Sequence, residues 1–394
     1  MTAPRLSWTR WATFTVFFAN GFGFGAWAAA IPPLKIALGL SAASLSYALL
    51  ATAVGAVFMM QVCSVLTQRL GGTGRATRSS SLVFAPVLAL PMMAPNLALL
   101  IVAAAMLGAA SGFMDVAMNA HAATVERQWG TPIMSSFHAG FSIGGLAGTG
   151  FGALMLAAGT PTTWLMVPTA LIVLALVVGA GRYLGAGDDH RAASGGTTLR
   201  IPELRLLGLA AIALFCFLIE GAMADWSGLY LTTIGVSTAS AASGYGAFSA
   251  TMVAGRLLGD RVVKAFGRSH VVTFGALIAA LGLMLAVAIP HMAAVVIGFA
   301  LVGMGLSNVI PSLFSASARL GTTAAAGIAA ASTAGYAGLL AGPPLIGAVA
   351  AHWNLRAGVA VMAVAAIAAV MISLRSGAMG SHDDKADRLA AGDH

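Results

Sequence analysis

Runs of apolar residues long enough to cross a lipid bilayer recur along the whole 394-residue chain. A helix needs about 20 such residues to cross roughly 30 Å of hydrocarbon, because each residue advances it by about 1.5 Å. Backbone polar groups inside hydrocarbon must bond within the protein, and the period-2 alternation of a membrane β-barrel is absent, so the runs predict helices. We predict twelve spans, at residues 11–32, 43–67, 79–95, 97–121, 133–158, 162–184, 204–233, 240–262, 270–290, 292–316, 323–351 and 355–374.

The charged residues are too few for a soluble protein of this size. They make up 8% of the chain, whereas 59% of the residues are apolar and the mean hydropathy is +0.91. Two or three soluble domains need far more surface charge, so the composition excludes a soluble enzyme, a nucleic-acid binder and a secreted scaffold. Cys63 and Cys216 lie in apolar runs, and we expect no disulfide. The sequence therefore predicts an all-α membrane protein.

The basic residues between the spans indicate the orientation in the membrane. If the N-terminus is cytoplasmic, 18 of the 20 Lys and Arg residues lie on the cytoplasmic side, and Arg256 is counted among them. Only Lys35 and Arg356 then lie outside. This positive-inside bias predicts a multi-pass protein of the bacterial cytoplasmic (inner) membrane with both termini in the cytoplasm.

The longest interior polar stretch divides the chain into two halves. We predict an N-terminal six-helix bundle at residues 1–184, a cytoplasmic linker at 185–203, a C-terminal six-helix bundle at 204–375 and a cytoplasmic tail at 376–394. A polar segment rich in Gly, Ser and Thr is typical of a flexible linker.

The two halves are similar to each other in sequence. Q-R-L-G-G-T-G-R at 68–75 corresponds to D-R-V-V-K-A-F-G-R at 260–268, and G-F-S-I-G-G-L-A-G at 140–148 corresponds to G-Y-A-G-L-L-A-G at 335–342. Parallel six-helix repeats imply a pseudo-twofold axis along the membrane normal. They also predict a substrate site between the halves, near the midplane of the membrane.

Several of these motifs resemble those of the major facilitator superfamily. G-R-L-L-G-D-R-V-V-K-A-F-G-R at 255–268 is similar to its cytoplasmic loop motif, with Gln68 in place of the acid in the first-half copy. M-D-V-A-M-N-A at 114–120 and N-V-I-P-S-L-F-S at 308–315 resemble the fourth and tenth helices of the fucose–proton symporter branch, and E-G-A-M-A-D-W-S at 220–227 resembles span 7 of uncharacterised bacterial relatives. The resemblance implies the major facilitator fold, with twelve transmembrane helices in two pseudo-twofold-related six-helix bundles.

Three acids lie well inside the apolar spans: Asp115, Glu220 and Asp225. An ionised carboxylate in the bilayer costs at least several kcal/mol, so such residues mark functional sites by default. Asp115 lies about 27 Å along span 4 and Glu220 about 24 Å along span 7, which staggers them across the membrane. We predict that Asp115 and Glu220 carry the coupled proton, with His138 as a relay. The alternatives are a structural hydrogen bond for each acid and a helix-end contact with carbonyls for His138.

We expect no Lys or Arg in the middle of any span, because each basic residue is assigned to a loop or a helix end. Transporters of organic anions need a desolvated cation to hold the anion. The expected net-acidic interior therefore predicts a neutral or cationic solute.

Polar and aromatic side chains at helical spacing predict a solute-binding surface on spans 1, 4, 7, 10 and 11. Tryptophan and tyrosine rings stack on sugars or cations, although packing and membrane-interface roles are the alternatives for the tryptophans. The predicted binding residues are Asn20, Trp27, Asn119, Glu220, Asp225, Trp226, Asn308 and Tyr336.

Residues at and near the helix ends are predicted to control the conformational change. The loop-motif residues are expected to contact cytoplasmic helix ends in one state of the cycle, and a proline within span 11 is expected to kink it. These predicted gating residues are Gln68, Arg69, Asp260, Arg261 and Pro343.

The sequence thus predicts a monomeric, proton-coupled secondary active transporter that takes up a small neutral, sugar-like solute by symport and alternating access. One alternative is a proton antiporter that exports a neutral or cationic drug or metabolite, and the second is a non-transporting membrane sensor. No enzyme activity, metal site, nucleic-acid partner or cofactor is expected, because the proton gradient supplies the energy.

Overall fold

The computed structural model describes residues 3–40, 42–185, 204–236 and 238–375. Every regular element in these ranges is helical. The α-helices are α1 (Ala3–Ala37), α2 (Ala42–Arg69), α3 (Thr73–Val87), α4 (Leu97–Trp129), α5 (Met134–Ala157), α6 (Val167–Gly181), α7 (Leu204–Thr233), α8 (Thr238–Phe266), α9 (Arg268–Ala288), α10 (Met292–Leu306), α11 (Val309–Leu320), α12 (Ala324–His352) and α13 (Leu355–Arg375). Short 3₁₀ helices occupy Leu90–Met93 and Thr162–Trp164. The predicted tail, and the predicted linker beyond residue 185, lie outside the described residues.

Within the described residues, ten helical segments are long and apolar enough to cross a membrane, with α10 and α11 together forming one of them. The remaining two predicted spans, the third and the eighth, correspond to α3 with the 3₁₀ helix that follows it and to α8. The α8 helix is 29 residues long but carries four charged residues in its C-terminal half. The chain is therefore an all-α membrane protein, as the apolar runs predicted.

Helix α3 begins earlier than predicted, at Thr73 rather than at residue 79. Its first turns are polar, but their hydroxyl groups bond within the helix and to its neighbour. The Thr77 hydroxyl donates to the Thr73 carbonyl at 2.8 Å and to the Ala117 carbonyl of α4 at 3.0 Å. Hydroxyls satisfied in this way extend the helix beyond the apolar run.

The tenth predicted span is broken, because α10 ends at Leu306 and α11 begins at Val309. Pro311 lies in the first turn of α11 and has no N–H to donate to Ser307, so a continuous helix cannot form its hydrogen bonds there. The break places Ser307 and Asn308 between the two helices, and both side chains are buried.

The contacts within the chain define two compact units. Unit 1 comprises Met1–Trp129, Phe137–Thr198 and Thr322–Ala329, and unit 2 comprises Gly130–Ser136, Leu199–Gly321 and Ala330–His394. The segments 130–136 and 322–329 thus belong to units other than those of the halves in which they were predicted.

Glycine allows close helix packing in both units. In unit 1, a Cβ atom at Gly21 of α1 would overlap the Phe141 carbonyl of α5, and one at Gly144 of α5 would overlap the Phe18 carbonyl of α1. In unit 2, a Cβ atom at Gly338 of α12 would overlap the Leu214 carbonyl of α7. Close approach of small residues is what holds helices together in lipid, where the hydrophobic effect does not drive their association.

Candidate functional site

In unit 1, α4 places an acid and an amide on one face. The Asn119 Nδ2 donates to the Asp115 Oδ1 at 3.2 Å and to the Asp115 backbone carbonyl at 2.9 Å. The two residues are four apart in the helix, which brings their side chains together. Asp115 is half-buried and Asn119 is fully buried. The amide can donate to the carboxyl group whether or not that group carries a proton.

Asn20 of α1 lies against the same part of α4. Its side chain is 1% exposed, and its Nδ2 donates to the Met118 sulfur at 3.4 Å. Its Oδ1 has no hydrogen-bond partner within the described ranges. Buried amide oxygens are normally bonded, so this atom is available to a donor from a solute or water. Trp27, two turns further along α1, is also buried.

His138 lies in the first turns of α5 and is buried beside an aromatic ring. The rings of His138 and Phe17 meet edge to face, with their centroids 5.4 Å apart. The Ser142 hydroxyl donates to the His138 backbone carbonyl at 3.1 Å, one turn along the helix. The predicted role of His138 as a proton relay is not tested by these contacts.

In unit 2, the central acid pairs with a cation. Arg256 Nη2 of α8 lies 3.7 Å from Glu220 Oε1 of α7, and the two side chains are 8% and 30% exposed, respectively. The expectation of a cation-free interior is therefore wrong. Arg256 lies within α8, ten residues before the last residue of the helix, Phe266. This spacing corresponds to about 15 Å along the helix. Arg256 was placed on the cytoplasmic side, but the helix continues well past it.

Asn308, at the break between α10 and α11, packs against α8. Its Nδ2 donates to the Gly255 carbonyl at 2.9 Å and to the Ser307 hydroxyl at 3.0 Å. A Cβ atom at Gly259 would overlap the Asn308 Oδ1. The side chain thus contacts α8 at two glycines on either side of Arg256, and its predicted contact with solute stays a prediction.

The other predicted binding residues of unit 2 have different environments. Asp225 is exposed, whereas Trp226 is half-buried and lies against Gly347 of α12. The Trp226 Nε1 has no hydrogen-bond partner in the part of the chain that the structure describes. The Tyr336 ring of α12 lies 6.5 Å from that of Phe217, which precedes Glu220 by three residues on α7.

In unit 2, the Asp260 carboxylate contacts the first turn of α5, whose residues up to Ser136 belong to this unit. Its Oδ1 accepts a hydrogen bond from the Ser136 backbone N–H at 3.1 Å, near the N-terminus of α5. The first N–H groups of a helix lack partners within it and carry partial positive charge, so a carboxylate there stabilises the contact. Gly259 permits the approach, since a Cβ atom there would lie 2.5 Å from that of Ser135.

The remaining predicted gating residues show no comparable contact. Gln68 and Arg69 end α2 with exposed side chains, and Arg261 is exposed on α8. Pro343 lies within α12, and its side chain is outside the described set. The gating roles of all five residues stay predictions.

The sequence profile of the Major Facilitator Superfamily matches residues 13–338 of the chain. The chain belongs to this superfamily. An uncharacterised MFS-type transporter of Yersinia pestis is 37% identical over 348 residues, which is 86% of this chain and 88% of the relative. Its family and its relatives are transporters, so this member of the superfamily is a membrane transporter and not an enzyme.

Solved structures of superfamily members share its fold. The Escherichia coli fucose:proton symporter FucP matches with a TM-score of 0.76 at 15% identity, over 93% of this chain and 97% of that chain. The proton:xylose symporter XylE matches with a TM-score of 0.73 at 14% identity, over 94% of this chain and 95% of that chain. At these identities the likeness establishes the fold, which confirms the predicted major facilitator fold.

Arg256 is the functional candidate that the sequence analysis of this transporter missed. A signal was present, because the predicted span 240–262 already enclosed it. The basic cluster at 261–268 led to its assignment to the cytoplasmic side. A basic residue inside a predicted span indicates a functional site as an acid there does, since a charge of either sign is costly in the membrane.

Proposed function

We propose that the protein is a proton-coupled secondary active transporter that takes up a small polar, sugar-like solute by symport and alternating access. The observation that carries the proposal is the acid–amide pair of α4, in which the half-buried Asp115 accepts a hydrogen bond from the buried Asn119. An acid held by a neutral amide suits a proton carrier, because its charge can change while its hydrogen bond persists.

Two further observations support this proposal. Asn20 adds a buried amide oxygen beside α4, and amide groups of this kind bind hydroxyl-bearing solutes through hydrogen bonds. FucP and XylE, which share the fold, are named as proton symporters of fucose and xylose. The solute is not restricted to a neutral or cationic species, because Arg256 lies within α8 beside Glu220.

The proposal includes a location and an energy source. The protein would lie in the bacterial inner membrane with both termini in the cytoplasm, as the distribution of basic residues predicts. It would work as a monomer in the lipid bilayer, with the proton gradient as its energy source and with no bound cofactor, metal or nucleic acid.

Transport by purified protein in proteoliposomes tests the proposal. A panel of sugars, polyols, sugar acids and cationic dyes is first screened by counterflow, which detects a solute whether or not protons are coupled to it. Solutes that exchange are then offered with an acidic exterior and an alkaline interior. We expect accumulation that a protonophore abolishes, and none in protein-free liposomes.

The other outcomes identify the alternatives. Exchange without gradient-driven accumulation would show a facilitator and overturn proton coupling. Accumulation only when the interior is acidic would show antiport. Binding of a solute with no exchange at all would favour a sensor.

A further inference from the structure

The geometry of the ion pair between Glu220 and Arg256 is far from ideal. The 3.7 Å separation of its charged atoms exceeds the 2.7–2.9 Å that is typical of charge-assisted hydrogen bonds. It also joins one guanidinium nitrogen to one carboxylate oxygen, whereas arginine can bind a carboxylate through two parallel N–H groups. A second carboxylate of better geometry could therefore replace that of Glu220.

The two side chains differ in their access to solvent. Arg256 is 8% exposed and Glu220 is 30% exposed. A buried guanidinium cannot lose its proton and needs an anionic partner, whereas a partly exposed carboxylate can turn towards water and take up a proton. Exchange of partners is therefore possible on the Glu220 side of the pair, while Arg256 stays in place.

We propose that Arg256 binds the carboxylate of a small hydroxylated monocarboxylate, such as an aldonate, and that the displaced Glu220 carboxylate takes up a proton from water. This inference rests on the proposed transport function and names its solute class. One anion and one proton enter together, so the charge of the site does not change. Each then favours binding of the other, which couples the two.

The surroundings of Glu220 suit this exchange. Among the described residues, the titratable or charged groups near it are Arg256 on α8 and the Cys216 thiol one turn earlier on α7. On α12, the Tyr336 ring lies 6.5 Å from the ring of Phe217, which precedes Glu220 by three residues on α7. The other helices packed on α7 are α10, which has no charged residue, and α11 and α13, whose charged residues Arg319, Arg356 and Arg375 lie at their ends.

Matched pairs of solutes test the proposal on the unmodified protein. Gluconate, galactonate and mannonate are each compared with the alditol that has a hydroxymethyl group in place of the carboxylate. We expect at least one aldonate to bind to the purified transporter and its alditol to bind at least ten-fold more weakly. Apparent affinity should fall by up to about ten-fold per pH unit as pH rises, and a weakly buffered solution should report proton uptake on binding.

Variants locate the exchange at this pair. Glu220→Gln imitates the protonated acid, so it should keep aldonate binding, lose the proton uptake and become insensitive to pH. The double variant Glu220→Gln with Arg256→Gln removes both charges of the ion pair and should lose aldonate binding by at least 100-fold. Lys264→Gln removes an exposed cation from the same helix and should bind as the unmodified protein does.

Three binding results would each overturn the inference: no aldonate binds, an alditol binds as well as its aldonate, or the double variant binds aldonates normally. Proton-driven uptake of a neutral sugar by the double variant would do so while leaving the proposed function intact. Aldonate exchange without any proton coupling would instead contradict both.

Discussion

The two units each hold an acid within a membrane helix, but the acids have different partners. In unit 1, Asp115 accepts a hydrogen bond from the neutral amide of Asn119, four residues along the same helix. In unit 2, Glu220 pairs with the guanidinium of Arg256, on a different helix. An amide tolerates either charge state of its neighbour, whereas a buried guanidinium requires a negative charge.

This difference assigns different chemistry to residues that look alike in the sequence. Neutralising Asp115 leaves its amide partner satisfied. Neutralising Glu220 leaves a buried cation without this counter-ion unless a solute supplies one. The comparison therefore separates a proton carrier in unit 1 from an anion-exchanging pair in unit 2, and each of the following predictions tests one side of it.

The largest expected effect is on stability, at the ion pair. Glu220→Gln should lower the free energy of unfolding by about 3 kcal/mol, because the buried Arg256 guanidinium loses the carboxylate beside it. Arg256→Gln should cost less, about 1–2 kcal/mol, since the partly exposed Glu220 can reach water or take up a proton. Thermal unfolding of the purified variants in one detergent measures both.

The double variant provides the control for this prediction. With neither charge present, it should be more stable than Glu220→Gln alone, and the two single effects should not add. Additive effects would show that the two side chains do not interact, and that the comparison between the units is unfounded.

The sequence predicted the fold class because the bilayer imposes length and apolarity on each span. The α7 and α9 helices illustrate this, since Leu204–Thr233 coincides with the predicted 204–233 and Arg268–Ala288 lies within two residues of the predicted 270–290. The break between α10 and α11 was missed, although Asn308 followed three residues later by Pro311 is a signal for a helix start.

The sequence predicted the partner of Asp115 but not the partner of Glu220. Asp115 and Asn119 lie on one helix, so their spacing of four residues predicted the shared face. Arg256 and Glu220 lie on different helices, and their pairing depends on the relative shift and rotation of α7 and α8, which no single helix pattern contains. The predicted span already ended six residues past Arg256, at residue 262, and only the last four residues at that end of α8 were missed.

The next effect concerns proton coupling in unit 1. Asp115→Asn should lower accumulation driven by a pH gradient, because it removes the proton carried in unit 1, whereas exchange of solute across the membrane should continue in part. With a gradient of one pH unit, the loss of this one proton per solute should lower the accumulation ratio by about ten-fold, or about 1.4 kcal/mol. Uptake and counterflow by the same proteoliposomes measure the two activities.

Two controls complete this test: the stability of Asp115→Asn and the transport activity of a variant at the second acid of α4. The Asn119 amide can donate to the new side-chain oxygen, so Asp115→Asn should unfold within about 1 kcal/mol of the unmodified protein, unlike Glu220→Gln. Glu126→Gln, which removes the other acid of α4, should accumulate solute normally. Undiminished accumulation by Asp115→Asn would remove the proton carrier from unit 1.

The smallest expected effect concerns the loop motif, where the two halves also differ. Asp260 accepts a hydrogen bond from the Ser136 N–H near the start of α5, whereas Gln68, its counterpart in the sequence repeat, is exposed at the end of α2. Asp260→Asn keeps an acceptor but removes the interaction of a full charge with the helix terminus, which is worth about 0.3–1 kcal/mol. This loss should change a conformational equilibrium by about two- to five-fold, and it should lower turnover more than solute affinity.

The control variant Gln68→Asn should change neither turnover nor solute affinity. Initial rates and binding constants of both variants decide the matter: equal turnover in Asp260→Asn and the unmodified protein, at equal amounts of protein, would reduce the Asp260 contact to a local helix cap with no part in the transport cycle.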